Sequence, residues 1–283
     1  MNFQEKLKRD YNKHKSIVCM GMDPLLEKIP IKEGNTKEKI YRFYAEILNE
    51  IVRTGNFPSC VKPNYAFYAR YGFEGLEALF DLIELYKKNG LTVILDSKRG
   101  DIGTTAEAYA DEAFHFFKAD AVTLSPYLGF DSIEPFIRKY PDAGYYVLCK
   151  TSNKSSGEIQ DVITEGKPLY EKVAEKLSSW KNPGIGAVAG ATYPEQLLLI
   201  LETFKKGGQI LPLLIPGIGT QGGDLKSVIN IISKYDISLH RINASSSINF
   251  AYIKTGKNFA EAASLEIKKM NEEINEIMES EKN

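Results

Sequence analysis

The sequence predicts an α/β fold, a (β/α)8 barrel whose eight parallel strands are ringed by helices, and three observations predict it. Short apolar runs alternate with longer segments of helical period from one end of the 283 residues to the other. Eight such runs are present, whereas a doubly wound sheet more often stops at about five to seven strands. No Pro-, Ser- or Gly-rich linker and no internal repeat divides the chain, so residues 1–283 are expected to form a single barrel domain.

The strands are expected at Ser16 to Met22, Phe57 to Val61, Thr92 to Leu95 and Ala121 to Leu124, then at Tyr145 to Cys149, Ile185 to Val188, Ile210 to Ile215 and Ser238 to Ile242. Most are continuously apolar rather than alternating, as parallel strands covered on both faces should be. Amphipathic helices lie between them. From Lys37 to Thr54, the residues Ile40, Tyr44, Ile47, Leu48 and Ile51 make one apolar stripe. A helix from about Glu74 to Asn89 has Gly90 at its C′ position. Pro194 suits the first turn of a helix through Lys206 that stops at Gly207-Gly208. An opening helix carries Phe3, Leu7 and Tyr11, and a closing one Ile267, Met270, Ile274 and Ile277.

Composition narrows the function. Lys plus Arg number 36 against 37 Asp plus Glu, a net charge of −1 that offers no field for nucleic acid or an anionic membrane surface. The longest apolar runs, such as Leu197 to Leu201, fall far short of the roughly 18 residues a membrane span needs. The first ten residues carry Glu5, Lys6, Lys8, Arg9 and Asp10 and no apolar block, so no signal peptide is expected. Cys19, Cys60 and Cys149 are scattered inside apolar runs without metal-ligand spacing, which suggests buried thiols in a reducing cytoplasm.

A barrel of this kind places its active site at the C-terminal ends of its strands. Those ends carry Asp23, Lys62-Pro63-Asn64, Asp96-Ser97-Lys98-Arg99-Gly100-Asp101, Ser125-Pro126-Tyr127, Lys150-Thr151-Ser152-Asn153, Gly217 to Asp224, and Asn243-Ala244-Ser245-Ser246. That strand ends turn polar on leaving a core explains part of this pattern, but not lysines and aspartates at consecutive ends. The densest cluster is Asp96, Lys98 and Asp101. Side chains alternate along a strand, so Asp96 and Lys98 are expected on one side, the barrel interior. Asp101 follows shortly after and could cap a helix starting near Thr104.

With Lys62 from the neighbouring strand, these residues form a Lys/Asp/Lys/Asp array of zero formal charge. Burial of such an array keeps each lysine protonated and each aspartate ionised. A carboxylate entering it is destabilised by Asp96, while a carbanion formed in its place is stabilised by Lys98 and takes its proton. That arrangement suits breaking a bond to a carboxylate without an electron-sink cofactor. A salt-bridge network that merely braces a loop fits the same spacing.

The segment Gly217-x-Gly219-x-x-Gly222 has the outline of a dinucleotide fingerprint, but the following strand ends in Asn243 rather than an acid, and the segment is far from the first βα turn. What remains is a glycine-rich loop after the seventh strand whose N–H groups can hold a phosphate, or a tight turn that binds nothing.

At these residues the sequence resembles the orotidine 5′-monophosphate decarboxylase family, in its longer-chain class found in many bacteria. Leu95 to Gly103 is similar to the family's Asp-x-Lys-x-x-Asp signature and Val61 to Tyr68 to its second-strand lysine segment. Lys150-Thr151-Ser152-Asn153, Val188 to Pro194 and Ile215 to Asp224 match in order and spacing, so the resemblance runs from about Gly21 to Ala251. It implies decarboxylation of orotidine monophosphate to uridine monophosphate by Lys62, Asp96, Lys98 and Asp101, with Lys98 protonating C6 of the pyrimidine and Asp96 crowding the carboxylate. It also implies an obligate homodimer, with Asp101 reaching into the neighbouring subunit's site. Asp23 and Thr105 would bind ribose hydroxyls, Ser152 the pyrimidine, and Gln221 would bridge base and phosphate beside Gly222 and Gly223. Neither metal nor organic cofactor is implied.

One departure stands out. Where the family usually has a phosphate-gripping arginine after the eighth strand, this chain has Ser246, in Asn243-Ala244-Ser245-Ser246. Hydroxyls and loop N–H groups can replace an arginine's hydrogen bonds, each charge-assisted one contributing roughly 1.5–3 kcal/mol, but not its charge. Lys154 and Lys167, which flank the long segment after the fifth strand, are candidate substitutes; Arg241 sits too early and is expected to point elsewhere. Two other readings carry different tests: a metal-dependent sugar-phosphate lyase of the same superfamily, and a non-catalytic nucleotide-binding barrel. His14, His115, His240 and Trp180 lie outside every strand-end motif and are expected to serve packing or the surface.

Overall fold

Parallel strands close on themselves around a single axis. In the computed structural model, which describes residues 1–218 and 224–280, the described residues form eight barrel strands: β1 (Val18–Met22), β2 (Cys60–Pro63), β3 (Thr92–Arg99), β4 (Ala121–Leu124), β5 (Gly144–Lys150), β6 (Ile185–Ala189), β7 (Leu213–Pro216) and β8 (Arg241–Ala244). Each pairs in parallel with the next, and β8 returns to β1 through Val18 opposite Ile242, Cys19 opposite Asn243 and Met20 opposite Ala244. A short antiparallel ribbon, Ile163–Thr164 with Lys167–Pro168, stands apart from the barrel in the long connection after β5.

Every expected strand is found; only β4 keeps its expected bounds, and in four of the others a bound moves by three or more residues. β2 starts three residues later than expected and takes in Lys62 and Pro63. β7 begins after Pro212, which has no N–H to give to a ladder. Ile237–Leu239 is a turn of 3-10 helix, so β8 begins only at Arg241. β3 continues past Leu95 to Arg99 through a break in register. The helices match closely: Thr36–Thr54, Gly72–Lys88 and Pro194–Lys206 bury the expected stripes against the outer faces of the strands, and Gly90 takes a left-handed φ of 80° just past its helix.

The opening helix Phe3–His14 closes the barrel from below. Asn2 and Glu5 form a reciprocal capping box at its start. Phe3 and Leu7 pack into the lower core with Cys19, Cys60, Ile94, Ala121, Tyr146, Val188 and Leu214. Full burial of each contributes roughly 1.5–3 kcal/mol. Gly144 makes room, since a Cβ there would lie 2.6 Å from the Phe3 ring. Arg241 belongs to this floor: fully buried, it donates to the carbonyls of Leu7 (2.6 Å), His240 (2.7 Å) and Ser238 (2.9 Å). It therefore points away from the strand ends, as expected, and ties helix to barrel. The three cysteines are free and buried. Among the described residues no helix is long and apolar enough to cross a membrane.

Candidate active site

With the floor filled by apolar side chains, the polar residues collect at the opposite rim. β2 supplies Lys62, and β3 supplies Asp96 and Lys98. The Lys62 ammonium lies 2.7 Å from Asp96 Oδ2, and that of Lys98 2.6 Å from Asp96 Oδ1. Thr123 on β4 donates its hydroxyl to the same Oδ1 at 2.8 Å. One carboxylate thus accepts from two ammonium groups and a hydroxyl. Lys62 and Asp96 are buried, while the Lys98 side chain is 49% exposed and faces the cavity mouth.

Burial on its own would push the Asp96 carboxyl up, but the charges of Lys62 and Lys98 overcome it and hold the acid far below the usual carboxylate range. Burial would likewise depress Lys62, yet Asp96 and then Asp23 keep its ammonium above the ordinary lysine value. Asp96 is therefore ionised and Lys62 protonated at neutral pH.

Asp96 and Lys98 do converge, but not by regular strand alternation. The pairing of β3 with β4 slips between Leu95 and Arg99, and Lys98 takes a left-handed φ of 48°. Its N–H, no longer in the ladder, donates to Thr123 Oγ1 at 2.9 Å. Backbone strain of this kind costs on the order of 1–3 kcal/mol and persists where neighbours enforce it. The Arg99 guanidinium leaves the barrel to make a forked pair with Glu112 at 2.7–2.9 Å, between the rings of Tyr65 and Tyr109.

Asp101 does not join the array within the chain. Its Oδ1 accepts from the N–H of Ile102 at 2.8 Å, and the next helix, Gly103–Asp111, begins with Ile102 in the capping position and no side-chain cap, so the expected capping role fails. Thr105 is exposed and lines neither cavity. The other predicted residues that are described do gather. A cavity of about 530 Å³ is walled by Asp23, Lys62, Asp96, Lys98, Ser152 and Asn243. A second, of about 250 Å³, is walled by Asp23, Gly217, Asn243, Ser245, Ser246 and Ser247. The two share Asp23, Pro216 and Asn243, so they form one bipartite cleft.

Asp23 is fixed at the joint by Ser245, whose hydroxyl donates to Asp23 Oδ2 at 2.5 Å. Gly21 permits that approach, because a Cβ on it would lie 2.7 Å from Ser245 Cβ. Gln221, Gly222 and Gly223 lie outside the described residues. Lys167 does not approach the cleft: it is held by Glu171 at 3.2 Å and by Glu175, and lines a separate groove with Ser178 and Lys206. Lys154 is exposed beside Asn153, which does line the larger cavity. Sequence reasoning missed Thr123 and Gln160, both in the wall of that cavity.

A closed parallel barrel with an ionised cavity at the C-terminal ends of its strands is the architecture of a barrel enzyme. The chain belongs to the orotidine 5′-phosphate decarboxylase / HUMPS family, whose model matches residues 16–248. It is 40% identical over 267 residues to the orotidine 5′-phosphate decarboxylase of Ralstonia pickettii (strain 12J), covering 93% of this chain and 94% of that one. It is 39% identical over 278 residues to that of Roseiflexus sp. (strain RS-1), covering 97% and 98%. Among solved structures, Leishmania donovani OMP decarboxylase superposes with a TM-score of 0.79 at 35% identity, over 98% of this chain and 99% of that one. Leishmania donovani UMP synthase gives 0.81 at 36% identity; 98% of this chain is covered but only 57% of that longer one.

Proposed function

We propose that this chain decarboxylates orotidine 5′-monophosphate to uridine 5′-monophosphate, the closing step of pyrimidine nucleotide synthesis, as a carboxy-lyase that uses neither metal nor organic cofactor. The observation that carries the reading is the position of Asp96, ionised and buried between Lys62 and Lys98 in the wall of a cavity with ample room for a pyrimidine.

The bipartite cleft suits a bipartite ligand. The pyrimidine and its carboxylate occupy the larger cavity, with Ser152 on the base. The ribose sits at the joint on Asp23, and the phosphate lies in the smaller cavity against Ser246, with Gln221, Gly222 and Gly223 as the further contacts that the family resemblance implies. The substrate carboxylate then meets the fixed negative charge of Asp96. As the C6–carboxylate bond breaks, carbon dioxide departs and the electron pair remains on C6. Lys98 stabilises that charge and transfers a proton from Nζ to C6. The donors are already in place and oriented by Asp96 and Thr123, so little reorganisation is needed at the moment of reaction.

The site is completed by a second copy of the chain. Asp101 and Thr105 line neither cavity of their own subunit, and the exposed apolar residues Ile102, Tyr127, Leu128 and Phe130 follow the same strand, β3, and its neighbour β4. A homodimer that covers this face brings Asp101 and Thr105 into the partner's cleft, where Asp101 supplies the second aspartate of the array and Thr105 a ribose contact. The three free, buried thiols suit a reducing cytoplasm. Serine hydroxyls and loop N–H groups hold the phosphate where the family usually has an arginine.

The test is direct. Purified chain is incubated with orotidine monophosphate, and the absorbance change is followed with and without EDTA. Turnover unaffected by the chelator is expected. Loss of activity in EDTA points instead to a metal-dependent sugar-phosphate lyase, and nucleotide binding without turnover to a non-catalytic barrel.

A further inference from the structure

The connection after β5 carries a polar cluster that the decarboxylation chemistry leaves unused. Lys150 ends β5 with its side chain only 3% exposed, and its ammonium donates to Asp161 Oδ1 at 2.7 Å and to Ser156 Oγ at 3.1 Å. A buried ammonium is retained only where such partners meet it. It anchors the excursion formed by Lys154–Ser156 and Gly157–Gln160 at its middle, through Ser156, and just past its end, through Asp161.

Gln160, next to Asp161, is fixed in turn. Its Oε1 accepts from the N–H of Thr151 at 2.9 Å, and its Nε2 donates to Thr151 Oγ1 at 2.8 Å. Thr151 Oγ1 passes its own hydrogen to Asn153 Oδ1 at 2.6 Å, so the hydroxyl is an acceptor towards Gln160. Only one orientation of the carboxamide satisfies this relay: a flipped amide would set its NH2 against a backbone N–H. Gln160 also lines the cavity that holds Asp96, Lys98 and Ser152. It thus keeps one N–H and one lone pair in reserve, with their order locked.

A uracil-type ring presents a carbonyl acceptor beside an N–H donor along its imide edge. A cytosine ring presents an amino donor beside a ring-nitrogen acceptor at the same positions. A freely rotating carboxamide suits either, whereas a locked one favours one ring. We infer that Gln160 is a specificity-determining residue that reads the imide edge of the pyrimidine, and that Lys150, through its pair with Asp161, is the positioning residue that keeps it there. The inference rests on the larger cavity being the pyrimidine site.

Calorimetric binding of uridine monophosphate and cytidine monophosphate tests it without relying on turnover. The parent is expected to prefer the uridine nucleotide. Gln160→Ala should lower that preference about tenfold or more, the equivalent of one lost hydrogen bond. Lys150→Met should shift the ratio in the same direction and Lys150→Arg should restore it; if Lys150→Met does not fold, Asp161→Asn, at a half-exposed position, takes its place. A ratio within about twofold of the parent in Gln160→Ala overturns the assignment of Gln160. An unchanged ratio in the Lys150 or Asp161 variants overturns the positioning role. A parent that binds both nucleotides but never decarboxylates orotidine monophosphate sinks the proposed reaction and leaves the Gln160 result standing. A parent that binds neither overturns both.

Discussion

The ammonium of Lys98 meets the carboxylate of Asp96 at 2.6 Å across a break in β3, with Lys98 itself in a left-handed backbone conformation. The lysine is thereby aimed at the cavity rather than along the barrel wall, and Thr123 holds both members of the pair. Lys98→Ala should therefore remove nearly all turnover while leaving the thermal transition close to the parent's, because the side chain is half exposed. Steady-state kinetics check this; turnover within about tenfold of the parent, roughly 1.4 kcal/mol of barrier, contradicts the role.

Asp96 is the counter-charge of a buried lysine. Asp96→Asn leaves the Lys62 ammonium buried with no ionised partner in its own chain's array, which should cost about 3–5 kcal/mol in urea unfolding as well as abolish activity. Adding Lys62→Met should recover stability but not activity, since the two side chains share one interaction. A single Asp96→Asn variant as stable as the parent would mean that the pair is hydrated rather than buried.

His240 provides a pH dependence unconnected with catalysis. It is fully buried, its Nδ1 accepts from the Leu213 N–H at 3.2 Å, and burial, then the neighbouring Arg241, push its pKa down to about 3. The folded state holds it neutral, whereas the unfolded chain binds a proton near pH 6.5. Its contribution to stability is thus complete above pH 6.5 and is lost as the pH falls from there towards 3, at about 1.4 kcal/mol per unit. His240→Asn, which keeps an acceptor without a titrating ring, should flatten the stability profile over that window; an unchanged slope in denaturant titrations argues against it.

The proposed sharing of Asp101 between two copies of the chain makes a quantitative prediction for mixed dimers. Lys98→Ala and Asp101→Ala should each be inactive alone. Refolded together in equal amounts, half of the dimers are mixed and each regains one intact site, so about a quarter of the parent activity should return. No recovery, with mixed dimers demonstrated by mass, would show that Asp101 serves its own subunit or none.

Much of the barrel, and the clustering of Lys62, Asp96 and Lys98 in the candidate site, could be read from the residues, for physical reasons. Continuous apolar runs mark strands buried on both faces, and charges at their ends have nowhere to go but the rim, which made Lys62, Asp96 and Lys98 visible. Thr123 was not, because a β-branched residue inside Ala121–Leu124 looks like any other strand former. Gln160 lies ten residues beyond the end of β5 in an excursion without periodicity, and only the bonds to Thr151 and the Lys150–Asp161 pair bring it back. The slip in β3 left no trace either: a lysine in left-handed geometry carries no sequence signal as glycine does. Lys167 resembled a free cation in one dimension and proved to be engaged by Glu171 and Glu175.

Decarboxylation fixes the fate of the substrate's carboxyl carbon. Carboxyl-labelled orotidine monophosphate, turned over in D2O and followed by nuclear magnetic resonance, should give one labelled carbon dioxide for each uridine monophosphate, every product carrying deuterium at C6, with EDTA present or absent and with the signal lost in Lys98→Ala. Label that stays on the nucleotide, at any concentration of the parent chain, would contradict it.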